Sequence, residues 1–263
     1  MRIPKHPFFL YNEKAGVLII NFRNEMEENK NQKVNEILKE LKSFSNSQAL
    51  AGMARFGINV ENAFGTPVPV LRKIAKRIGK NHSLASALWK TKNHEARILA
   101  GFIDQPESVT EEQMESWARD LDSWDVCDQV CGGLFDKTPF AYLKAVEWSG
   151  RKEEFVKRAG FALMAALAVH DKSASDKKFL KFFPLIKIQA SDERNFVKKS
   201  VNWALRQIGK RNAVLNSFAI AAAQEILKQN GKTAKWIASN ALGELRGEAV
   251  KNRLNILNNE QTS

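Results

Sequence analysis

Beyond residue 29, apolar positions recur along the chain with helical spacing. Val34, Ile37, Leu38 and Leu41 lie three and four apart and predict an amphipathic helix ending near Ser43. Similar stripes predict helices over 47–56, closed by Gly57, and over 70–78, entered through the turn Thr66-Pro67-Val68-Pro69 and ended by Gly79. Next come 84–90, capped by Ser83, then 94–103, stopped by Pro106, and 111–121. A further helix starts just after Asp122 or Ser123, either of which suits an N-cap. The series closes with 141–148, 153–170, 176–183, 194–210, 213–229 and 233–245. No strand pattern follows residue 30. Residues 1–25 have another texture: Phe8-Phe9-Leu10-Tyr11 and Val17-Leu18-Ile19-Ile20 are β-like runs around Gly16. They are expected to form an N-terminal extension, either a hairpin or a disordered arm.

The predicted helices come in pairs that resemble one another. Phe155-Val156-Lys157-Arg158-Ala159 aligns with Phe196-Val197-Lys198-Lys199-Ser200, 41 residues later. His94-Glu95-Ala96-Arg97-Ile98 and Ala234-Lys235-Trp236-Ile237-Ala238 are weaker copies. A period near 40 in helix pairs is the mark of a HEAT-type α-solenoid. The expected fold class is therefore all-α, with one repeat domain over 26–254, the extension over 1–25 and a tail over 255–263.

Charge adds a partner class. Residues 1–150 carry 20 Lys and Arg against 19 Asp and Glu, whereas residues 151–263 carry 21 against 10. A basic half of this kind suits a polyanion, nucleic acid above all. The two cysteines sit four apart in one apolar stripe and argue against a disulfide framework, which suits a reducing cytoplasm. The four histidines have no metal-ligand spacing. With no apolar run of 18 residues, no membrane helix is expected, and the opening residues lack the pattern of a signal peptide.

Three of the helices carry side chains that invite chemistry. After Asp122, the residues Val126, Cys127, Val130, Cys131 and Leu134 form the apolar stripe, while Trp124 and Asp128 stack four apart on its flank. An indole beside a carboxylate suits a cation, although a partly buried tryptophan next to a solvated aspartate has the same spacing. Arg158 flanks its own stripe, where a surface ion pair with Glu154 is the plain alternative. Trp203 falls opposite the stripe of Val197, Val201, Ala204, Leu205 and Ile208, a place explained either by a ligand or by packing on a neighbouring repeat. Lys198, Lys199, Arg206, Lys210 and Arg211 surround it and are candidate phosphate contacts.

Ser123-Trp124-Asp125-Val126-Cys127-Asp128, Lys157-Arg158-Ala159 and Val201-Asn202-Trp203-Ala204-Leu205-Arg206 resemble the AlkD-like family of DNA alkylation repair glycosylases, proteins built of HEAT-like repeats. The resemblance spans residues 30–250. It implies that Asp128 is the catalytic aspartate, that Trp124 and Trp203 are the tryptophans of the catalytic cleft, and that Arg158 is the cleft arginine, holding a backbone phosphate. Arg72, after the Val68-Pro69 turn, matches a DNA contact of the family, while Val68 stands where some members carry threonine. The implied reaction is hydrolysis of the N-glycosidic bond of cationic purines such as 3-methyladenine and 7-methylguanine in double-stranded DNA. It needs no base-flipping pocket, metal or organic cofactor, and is carried out by a monomer at the nucleoid. The alternatives are a HEAT-repeat scaffold that binds DNA without catalysis, or one that binds an acidic protein.

Overall fold

The computed structural model describes residues 13–260, with side chains described from 25 to 255. Every regular element among the described residues is helical. In chain order they are α1 (Glu13–Ser43), α2 (Ser47–Arg55), α3 (Val68–Ile78), α4 (His82–Lys90), α5 (His94–Ile103), α6 (Glu111–Arg119), α7 (Trp124–Gly133) and α8 (Ala141–Ser149). Then follow α9 (Glu154–His170), α10 (Asp176–Leu180), α11 (Phe182–Gln189), α12 (Asn195–Gly209), α13 (Ala213–Leu227), α14 (Lys232–Leu245) and α15 (Glu248–Glu260).

The helices stack in two layers, as the repeat period requires. The inner layer runs α3, α5, α7, α9, α12, α14, each packed on the next. The outer helices α4, α8 and α13 pair with α5, α9 and α14 in turn. Phe155 and Phe196, equivalent in the sequence repeat, stack on each other with centroids 5.5 Å apart. The core is continuous through the stack. Trp89 lies flat on Trp117 at 4.0 Å, Trp117 meets Phe135, and Phe135 meets the edge of Trp148. The α7 stripe of Val126, Cys127, Val130, Cys131 and Leu134 is fully buried, as is the α12 stripe of Val197, Val201, Ala204, Leu205 and Ile208. Both cysteines are free. No helix of the described residues is long and apolar enough to cross a membrane.

Several local expectations are corrected. The β-like run Val17–Ile20 is helical, inside α1. Apolar runs this short fit either geometry, and here the helix of the following residues extends back through them. The other run, Phe8–Tyr11, lies outside the described residues. Asn81, not Ser83, caps α4: its side-chain oxygen accepts from the Leu84 amide at 2.9 Å. The stretch 176–183 is two helices broken at Lys181, because Pro184 has no N–H to give the Leu180 carbonyl. The residues expected as a tail continue the helix α15 as far as Glu260.

Candidate active site in the inner groove

A groove of about 990 Å³ opens on the inner layer, lined by α3, α5, α7, the C-terminal end of α9 and α12. Trp124, Asp128 and Trp203 all line it, although they are distant in sequence. Position along the helix decides this. Trp124 is the first residue of α7 and Asp128 lies one turn on, so both project beside the buried stripe. Ser123 precedes them at the N-cap, but its hydroxyl makes no cap bond; it accepts from the Asn59 amide at 3.0 Å and ties the α2–α3 loop to the start of α7. The same loop fixes the indole, since Trp124 Nε1 donates to the Phe56 carbonyl at 3.2 Å.

Arg158 stands behind Asp128. Nε donates to Oδ1 at 3.0 Å and Nη2 to Oδ2 at 2.7 Å, a two-pronged pair that fixes the plane of the carboxylate. Nη1 donates to the Phe196 carbonyl at 2.7 Å, and the guanidinium lies 5.8 Å from the Trp124 ring. Only 6% of the arginine side chain is exposed, against 19% for Asp128. The surface pair with Glu154 is therefore not what forms. Nor does the guanidinium face outward to a backbone phosphate: its donors point into the protein, because the α9 backbone places it between α7 and α12. Desolvation raises the Asp128 carboxyl above its ordinary value, with the charge and hydrogen bonds of Arg158 acting against that rise.

A second carboxylate, Asp125, also lines the groove. It bonds the buried His94 through Nε2 at 2.9 Å, and its other oxygen is buried without a partner. Burial disfavours charge on His94, but the hydrogen bond and charge of Asp125 outweigh it and lift the imidazole above its usual value. Sequence reasoning passed over Asp125, although its spacing of three from Asp128 on a helix was a readable signal. His170 on the groove wall was also missed; its Nδ1 pairs with the buried Asp136.

The expected phosphate contacts separate. Arg72 lines the groove, its guanidinium 4.6 Å from the Phe102 ring and donating to Gln129 Oε1 at 3.2 Å. Arg206 and Lys210 instead pair with one carboxylate, Glu244 of α14. Arg211 donates to the carbonyls of Ala168, Lys172 and Ala174, where the half-buried guanidinium fastens the end of α9. Lys198 lies 5.7 Å from the Trp236 ring and Lys199 is exposed; neither lines the groove. These five were grouped by closeness in sequence, but a helix turns its residues to different sides and α14 supplies an acid the grouping did not weigh.

The model of a family described as DNA alkylation repair enzyme matches residues 37–244. One solved structure, described as belonging to a new family of proteins related to the HEAT-like repeat DNA glycosylases with affinity for branched DNA structures, superposes with a TM-score of 0.72 at 22% identity, over 84% of this chain and 95% of that one. No curated protein matches the sequence.

Proposed function

We propose that this chain, which belongs to the DNA alkylation repair enzyme family, is a DNA glycosylase that hydrolyses the N-glycosidic bond of cationic alkylated purines in duplex DNA. The observation that carries the reading is the Asp128 carboxylate, clamped by Arg158 in a groove that both indoles also line. A purine alkylated at N3 or N7 already bears positive charge. When its C1′–N bond breaks, the bonding electrons neutralise the base and the cation passes to the sugar. Asp128 stabilises that oxocarbenium and accepts a hydrogen bond from the attacking water; as the new C1′–O bond forms, that proton passes to the carboxylate and from it to solvent. The faces of Trp124 and Trp203 favour the same positive charge. Arg158 acts as a positioning residue: it holds the acid still and meets no substrate. Lesions such as 3-methyladenine and 7-methylguanine carry the required charge.

Asp128→Asn tests this. The amide keeps one of the two acceptors for Arg158, turns an N–H toward the other donor and loses the charge, so some stability is lost. In the folded variant, checked by circular dichroism, DNA binding is expected to persist while release of methylated purines from alkylated DNA falls by about 100-fold or more, in line with the loss of one electrostatic contact to a transition state. Unchanged release would defeat the proposal. The second reading, a repeat protein that binds DNA without excising bases, draws on the affinity for branched DNA described for the structural relative. It predicts binding by the wild-type protein with no base release.

A further inference from the structure

Three cations meet at the α3–α5 end of the groove. Arg72 comes from α3, Lys80 from the turn after it, and Lys137 from the short 3-10 turn after α7. Their hydrogen bonds all go to neutral partners, although Lys137 also lies within ion-pair range of Asp136. Lys80 Nζ donates to the carbonyls of Phe102 and Asp104 at 3.0 and 2.6 Å, Lys137 Nζ to the Gly133 carbonyl at 2.5 Å, and Arg72 to the Gln129 amide oxygen. The acids nearby are engaged elsewhere. The Asp104 carboxylate binds His82 and Gln113; that of Asp136 binds His170 through Oδ2, while its Oδ1, 4.0 Å from Lys137, accepts no hydrogen bond. Burial, followed by the charge of Lys137, lowers the pKa of Lys80, so the two ammonium groups sit close enough to repel. Lysines at helix C-termini are ordinarily accounted for by the dipole. Here, however, they cap two successive inner helices, α5 and α7, and converge with Arg72 on one groove.

We propose that Lys80 and Lys137 join Arg72, already matched to a DNA contact by the family resemblance, in a phosphate clamp that seats one DNA strand in the groove, taking the place of the basic run on and just after α12. The inference rests on the reading of the groove as a DNA site. It follows from position and pairing: Arg206 and Lys210 lie outside the groove lining and share one carboxylate, Glu244, and Arg211 is tied to three carbonyls, while the three groove cations line the groove with no carboxylate hydrogen-bonded to them. A phosphodiester would relieve the repulsion between Lys80 and Lys137.

The test is equilibrium binding of an undamaged duplex oligonucleotide across a KCl titration, which does not depend on base excision. Each neutralised phosphate contributes roughly 0.9 to the slope of log affinity against log salt. Lys80→Gln with Lys137→Gln is expected to lower the slope by roughly 1.8, and Arg72→Gln alone by roughly 0.9. Glutamine keeps an N–H donor without the charge, and Arg72 is exposed, so its single variant serves should the double variant fail to fold. Lys210→Gln is expected to leave the slope unchanged. A slope unaltered by the groove variants, or lowered by Lys210→Gln instead, would overturn the clamp while leaving the groove a DNA site. Wild-type protein with no salt-dependent binding would overturn the DNA reading itself, and the clamp with it.

Discussion

At the residue scale the decisive contact is the pair Asp128–Arg158. In the proposed reaction this acid must stay ionised to stabilise a cation, yet it sits where burial works against ionisation, and the guanidinium offsets part of that cost. Base release is therefore expected to decline on the acid side as pH falls through a value above that of an ordinary aspartate, about 3.9. DNA phosphates around the groove would push that value higher still. A pH–rate profile on methylated DNA checks this, and a flat profile from pH 4 to 7 would contradict it. Helical spacing set Trp124, Asp128 and Arg158 on the flanks of their stripes and Trp203 opposite its own, and the resemblance to a family singled out the four together. The partner of Arg158 was not legible in the sequence: its bond to Asp128 spans two repeats, and spacing within one helix points only to near neighbours such as Glu154.

At the scale of elements, spacing located nearly every helix from α2 to α14, since an amphipathic helix must present an apolar stripe to its neighbour. It misread the start of α1, the break at Lys181 and the existence of α15, places where the pattern is short or a proline intervenes. How tightly the helices cross was also hidden. At Gly160 of α9, a Cβ would come within 2.5 Å of the Ser149 nitrogen and 2.9 Å of the Trp148 carbonyl carbon, both backbone atoms of α8. Gly160→Ala would gain up to about 1 kcal/mol of helix propensity. The clash with a backbone that cannot turn aside is expected to cost about 3 kcal/mol, giving a net loss of stability. Chemical denaturation of the two proteins measures the difference, and an equal or more stable variant would show that α8 and α9 can separate freely. Because the α8–α9 crossing sets where Arg158 points, the same variant reports on the site.

At the scale of the whole molecule, the groove takes its lining from α3, α5, α7, α9 and α12, so the site is a property of the stack and not of any one repeat. The +12 net charge was visible at once, but where it acts was not. Composition placed the excess in the second half of the chain, whereas the groove draws its cations Arg72, Lys80 and Lys137 from the first. Neutralisation by acids on neighbouring helices, such as Glu244, escapes any count along the sequence.

The aspartate, its arginine and the second indole ride on α7, α9 and α12, three consecutive rungs of one spring. A spring that flexes changes the gap between rungs long before any rung unwinds. Turnover should thus vanish under mild urea at concentrations where circular dichroism still reports full helix content; coincident loss of both signals would mean that the rungs come apart only when they melt.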